Sequence, residues 1–119
     1  MNALHDYFEN WTVQVRKGVL ELCILNALER GECYGYDLVK LLADVPGLDV
    51  SEGTIYPLLS RLRLHGLVST RLEESPEGPA RKYYALTRAG RTALALMNTH
   101  LDNLITGSRA LSGGGGSHV

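Results

Sequence analysis

The chain has 119 residues, enough for one domain with a modest core and too few for two independent ones. Hydrophobic residues make up 45% of it, yet no apolar run approaches the roughly 20 residues that cross a bilayer, and the opening MNALHDYFENW lacks the basic start and apolar stretch of a signal peptide, so a cytoplasmic protein with no membrane partner is expected. The net charge of −1 hides an asymmetry, because residues 1–59 carry four basic and nine acidic side chains and residues 60–92 carry seven basic and three acidic ones.

A basic surface on a mildly acidic chain suits a phosphate backbone and equally suits a solvated face, and charge alone does not choose. Cys23 and Cys33 stand ten residues apart with no CxxC pair, which fits two free thiols. Together with His5, His65 and His100 they offer no pair at metal-ligand spacing, so neither a metal nor a cofactor is expected.

Leu4, Tyr7, Phe8, Trp11 and Val15 recur at a rough helical spacing and predict a short amphipathic helix whose apolar side needs cover from elsewhere. VLELCILNALERG, residues 19–31, is apolar around most of its circumference and closes on a basic residue and a glycine, the pattern of a separate core helix. In YGYDLVKLLADVPG the residues Tyr34, Leu38, Leu41 and Leu42 form one stripe of a third helix, with Asp37 near its positive end, until Pro46 and Gly47 stop it. A fourth helical run goes from Ser51 to His65, with Gly66 in the C-terminal position. The period then changes: Val68, Thr70 and Leu72 alternate with polar residues, EESPEGPA breaks the chain, and RKYYAL resumes with β-favouring tyrosines, which makes a hairpin with a long loop. Thr87 caps the last helix, TRAGRTALALMNTHLDNLI, in which Leu94, Met97, Leu101 and Leu104 step by three and four along a seam that a partner helix covers.

The fold expected is mainly α with a small β-hairpin: a winged helix-turn-helix with an N-terminal helix over residues 1–86, then a C-terminal dimerisation helix over 87–107. Residues 108–119 read as a flexible tail whose SGGGGSHV is linker-like, native or left by cloning.

The fourth run carries a proline. With Ile55 set at zero, Leu58, Leu59 and Leu62 fall within about 60° of it at 100° per residue and form the buried stripe. Gly53, Pro57, Ser60 and Arg61 lie on the far side, with Thr54, Tyr56 and Arg63 on the flanks. A helix-interior proline costs about 3 kcal/mol, because it removes one hydrogen bond and strikes the carbonyl four residues back, here that of Gly53. If the helix starts at Ser51, only that exposed carbonyl loses its donor; if it starts at Thr54, the proline sits in the first turn. Either way an outward, small-residue first turn offers backbone N–H groups to phosphate oxygens. The second helix of a helix-turn-helix enters the major groove N-terminus first, so Ser51, Gly53, Thr54, Tyr56, Ser60 and Arg61 are expected at double-stranded DNA, with Arg63 reading guanine or clamping backbone. At the wing, Arg81 and Lys82, with Arg71 opposite, suit phosphates, while Glu73, Glu74 and Glu77 repel them, so the base of the wing is favoured over its tip.

GVLELCILNAL, YGYDLVKLL, GTIYPLLSRLRLHGLV and RKYYALTRAGRTAL, in that order over roughly residues 16–96, resemble the PadR family of transcriptional regulators, and the short C-terminal helix resembles its compact subfamily. The resemblance implies a homodimeric winged-helix repressor on an inverted-repeat operator, released by a small aromatic or otherwise hydrophobic effector. It places Tyr36 and Lys40 at phosphate, Thr54, Tyr56 and Ser60 on the recognition face, and Arg81 and Lys82 at the basic pair before the second wing strand. It assigns dimerisation to the first and last helices, through Leu4, Phe8, Trp11, Leu94, Met97, Leu101 and Leu104. Compact members stack planar drugs on an aromatic of the C-terminal helix, and residues 87–105 contain none. Met97 and Leu101 would line that space, with Tyr7, Phe8, Trp11 and Val15 as walls from the first helix. The rival function is a winged-helix module that binds a partner protein and no operator. No constellation of catalytic groups supports an enzyme.

Overall fold

The computed structural model describes residues 2–113. In chain order it contains α1 (Ala3–Glu29), β1 (Cys33–Tyr34), α2 (Gly35–Ala43), α3 (Glu52–Leu64), β2 (Val68–Glu73), β3 (Arg81–Leu86) and α4 (Arg88–Ala110). The three strands form one antiparallel sheet in the order β1-β3-β2.

The first two expected helices are one. α1 runs for 27 residues without a break, because the junction at Arg16, Lys17 and Gly18 holds neither a proline nor a capping residue. Gly18 alone costs about 1 kcal/mol relative to alanine, which a long helix absorbs. The Asn2 side chain caps its start, accepting from the N–H groups of Leu4 and His5, and Gly31, at φ +133°, follows its C-terminal residues. Leu20, Leu22, Ile24, Leu25 and Leu28 of its second half are buried, while residues 3–11 of its first half are exposed.

α2 begins one residue later than the apolar stripe suggests. Tyr34 is its extended N-cap and belongs to β1, and the buried residues are Leu38, Val39 and Leu42, with Leu41 at the surface. The expected two-stranded hairpin has a third strand, Cys33 and Tyr34 pairing with Tyr84 and Tyr83. Two residues are too short to carry a period, so only the pairing itself defines this strand.

α3 starts at Glu52 with Ser51 as its N-cap, which decides between Ser51 and Thr54 in favour of the earlier start. It ends in a Schellman motif: Leu67 N–H donates to the Leu62 carbonyl at 3.0 Å and Gly66 N–H to that of Arg63 at 2.9 Å, with Gly66 at φ +77°. Thr87 then fastens this corner to α4. Its hydroxyl donates to the Gly66 carbonyl at 2.6 Å and accepts from Gly90 N–H at 3.0 Å, while its own N–H donates to the Leu67 carbonyl at 3.1 Å. The buried position 90 takes glycine because a Cβ would run into the Leu67 carbonyl oxygen and lie 3.0 Å from its carbon.

α4 continues to Ala110, past the expected end at Ile105 and three residues into the segment read as a tail. Residues 114–119 of that segment lie outside the described residues. Leu94 is buried, Met97 and Leu101 pack half-buried on the core, and Leu104 is exposed. Asn26 and Asn98 exchange amide hydrogen bonds at 3.1 and 3.0 Å and tie α4 to α1. No helix among the described residues is long and apolar enough to cross a membrane.

Candidate nucleic-acid interface

The core holds α3 by Ile55, Leu59 and Leu62, all buried, so the helix has one fixed rotation. Ser51, Glu52, Gly53, Thr54, Pro57 and Ser60 therefore face outward. Ser51 makes no side-chain cap to the backbone; its hydroxyl lies 3.3 Å from that of Thr54. The Thr54 N–H donates to the Ser51 carbonyl at 3.0 Å, which leaves the Glu52 and Gly53 N–H groups of the first turn without a side-chain cap from Ser51. Gly53 is not small for the sake of packing, since a Cβ there would meet only the Ser51 hydroxyl, at 3.8 Å. Pro57 sits on the same exposed side, where the Gly53 carbonyl it leaves without a helical donor is open to solvent.

Tyr56 turns from this face toward α2. It is half-buried, and a Cβ on Gly35 would lie 3.2 Å from its ring and hydroxyl and 3.1 Å from the Tyr84 ring, which is why α2 begins with a glycine. Burial pushes the Tyr56 phenol up, with Glu52, Tyr84 and Tyr34 adding to it. Burial raises Tyr84 too, against the pull of Arg63.

α2 contributes Tyr36 and Lys40, one turn apart and exposed, with the Lys40 ammonium 5.3 Å from the centre of the Tyr36 ring. On the wing, β2 and β3 pair Glu73 with Arg81, Leu72 with Lys82 and Arg71 with Tyr83. Arg71 is consumed internally. It donates to both carboxylate oxygens of Glu32, at 2.6 and 2.7 Å, and to Glu73 at 2.9 Å. These bonds raise the guanidinium's pKa and hold the Glu32 carboxyl below the usual carboxylate range. Arg61 pairs with Glu21 of α1 at 3.4 Å. Among the described residues, Lys40, Arg63, Arg81 and Lys82 form no ion pair, so the uncommitted positive charge of the site comes from these four.

The expected apolar residues do not form one site within the chain. Met97 and Leu101 line a cleft of about 350 Å³ between α1 and α4 with Val19, Leu22, Leu96 and His100. Tyr7 and Trp11 border a separate shallow surface, and Trp11 and Val15 border a third with Val45 and Leu48. Phe8 stacks on Trp11 with ring centres 6.2 Å apart. Leu4, Phe8, Trp11 and Leu104 are 54–75% exposed. Cys23 and Cys33 are free thiols pushed up by burial. No cluster of three metal-ligating side chains occurs among the described residues.

The PadR-like transcriptional regulator pattern matches residues 24–96, from the buried half of α1 through the wing into α4. The chain belongs to this family. A PadR family transcriptional regulator from Eggerthella lenta superposes with a TM-score of 0.82 at 33% identity, covering 92% of this chain and 95% of that one. A transcriptional regulator from Mycobacterium tuberculosis, Rv3488, is 32% identical over 107 residues, 87% of this chain and 98% of its own. Bacillus subtilis PadR in complex with operator DNA matches with a TM-score of 0.57 at 32% identity, over 65% of this chain and 45% of that chain. Membership places this PadR-like chain among transcriptional regulators and not among enzymes.

Tyr34, Tyr83 and Glu32 lie beside the candidate site residues Arg71 and Arg81 without having been singled out for it. RKYYAL did contain a signal, two tyrosines directly after two cations in a strand-like run, whereas ECYGYD holds tyrosines between acidic residues and no cation. Which cation met which ring was set by strand register.

Proposed function

We propose that this PadR-like protein is a sequence-specific DNA-binding regulator that works as a homodimer on an inverted-repeat operator and acts as a repressor. The observation that carries this reading is the first turn of α3: an exposed, glycine-bearing helix start with the Glu52 and Gly53 N–H groups uncapped by Ser51, held by Ile55 and Leu59 and flanked by four cations that form no ion pair among the described residues. Such a turn fits against phosphate while Thr54 and Ser60 reach base edges, with Lys40 and Tyr36 of α2 and Arg81 and Lys82 of the wing on the adjoining backbone. Arg71 and Arg61 contribute less, since carboxylates already hold them.

Dimerisation is supported by shape. The radius of gyration is 17.6 Å against roughly 13–14 Å for a compact chain of this length. The start of α1 and the end of α4 carry exposed apolar side chains, Leu4, Phe8 and Trp11 on one and Leu104 on the other. The α1–α4 cleft is the proposed seat of a small hydrophobic effector whose binding releases DNA, with Tyr7, Trp11 and Val15 joining Met97 and Leu101 only if the partner brings them together.

The test is titration of a labelled duplex of random sequence over a range of salt, followed by selection of bound sequences. Affinity should fall steeply with salt, with log K decreasing by about 0.9 per phosphate neutralised for each tenfold rise in salt, and a two-fold symmetric motif should emerge. A chain that binds no duplex, or binds with no salt dependence, is instead a protein-interaction module.

A further inference from the structure

The outer face of the sheet carries a row of aromatic and cationic side chains in which the assignments above leave Tyr34 and Tyr83 without a role. Strand register places Tyr34, Tyr83 and Arg71 in one row across β1, β3 and β2. Arg81, two residues from Tyr83 along β3, shares their face. The Arg71 guanidinium lies 4.7 Å from the Tyr83 ring centre, the Tyr83 and Tyr34 rings are 5.6 Å apart, and the Arg81 guanidinium lies 5.2 Å from the Tyr34 ring. Tyr34 also meets Tyr36, at 6.3 Å.

We propose that Tyr34 is a positioning residue for DNA binding: its ring holds the Arg81 guanidinium at the base of the wing, in place for a phosphate, and sets it relative to α2. Tyr34 suits this task because its own position is fixed twice, by pairing with Tyr83 and by serving as the N-cap of α2. Arg71, anchored by Glu32 and Glu73, closes the far end of the row and has no charge to spare. Arg81 is different: Glu73 stands opposite it on β2 and Glu74 and Glu77 border it, yet among the described residues it forms no ion pair and its guanidinium lies over the Tyr34 ring. A long exposed arginine otherwise loses rotamer freedom when it meets a phosphate; stacked on the ring, it has lost much of that freedom before DNA arrives. The cation remains available, because a ring face attracts a guanidinium without occupying its N–H donors.

This inference rests on the DNA-binding reading. Its test is a double-mutant cycle on the full chain, read by binding to the same random-sequence duplex at several salt concentrations, with helicity and melting recorded for every variant. Tyr34→Leu should weaken binding about two- to fivefold, the range of an exposed cation–ring contact, without changing the salt slope, because no charge is removed. Tyr34→Phe should bind as the unaltered protein does. Arg81→Gln should reduce the slope by about 0.9 for each phosphate lost, and in that background Tyr34→Leu should cost little more. If Tyr34→Leu does not fold, Tyr34→Val carries the same cycle on a β-favouring side chain. Additive losses, or a Tyr34→Phe variant as weak as Tyr34→Leu, overturn the positioning role while leaving DNA binding intact. Absence of duplex binding by the unaltered protein overturns both.

Discussion

Gly53→Ala separates the demands of the fold from those of the site. A Cβ at this position has open space, its nearest neighbour being the Ser51 hydroxyl at 3.8 Å, and the residue lies within α3. Alanine is favoured over glycine in a helix interior by about 0.8–1.0 kcal/mol; in the first turn, where fewer hydrogen bonds depend on it, a gain of about 0.5 kcal/mol is expected, or a rise in Tm of about 2 °C. Binding should move the other way. A methyl group on the exposed first turn holds a phosphate off the α3 N–H groups, and loss of one charge-assisted hydrogen bond, about 1.5–3 kcal/mol, lowers affinity roughly tenfold or more. The assays are thermal melting and duplex titration at one fixed salt concentration. A variant that is more stable and binds as well as the unaltered protein would refute the placement of this turn against the backbone.

Gly90→Ala should do the opposite. Its Cβ collides with the Leu67 backbone at the corner fastened by Thr87, and a cost of about 3 kcal/mol, or a Tm lower by roughly 10 °C, is expected in thermal melting; a shift of only a degree or two would mean the corner is loosely packed. Leu104→Asp should leave the protomer folded, because Leu104 is 56% exposed, and should yield monomer on sizing chromatography. Leu101→Asp should also yield monomer but unfold more readily, since Leu101 packs on its own core as well; dimers in both variants would remove α4 from the interface. Glu32→Gln should reduce the acid sensitivity of folding. Hydrogen bonds from Arg71 hold the Glu32 carboxyl below its ordinary value, so the stabilisation is present at neutral pH and is lost as pH falls through that lowered value. Denaturation midpoints measured down a pH series should converge for the two proteins at the acid end, and parallel curves would mean the pair carries no linkage.

Most of the elements were legible locally because their causes are local. The apolar stripe of Ile55, Leu59 and Leu62, the glycine after His65, the Thr87 cap and the alternation in β2 each act over a few residues, so the sequence by itself determined the helices, the hairpin and their order. The motifs across residues 16–96 likewise carried the family. Three things needed the tertiary structure. The unity of α1 was one, since Gly18 weakens a helix without ending it, and packing of the buried second half decides whether the turn holds. The two-residue β1 was another, because it exists only through its pairing with β3, about 50 residues away in the chain.

The third was the allocation of charge. Arg61, Arg63, Arg71 and Arg81 are alike as letters, but Glu21 takes Arg61, Glu32 and Glu73 take Arg71, and Arg81 rests on a tyrosine ring. Helical and strand periods arise from the backbone's own repeat and can be read along the chain. The partner of a charged side chain is fixed by which distant segments the core brings within a few ångströms, and only the folded chain decides that.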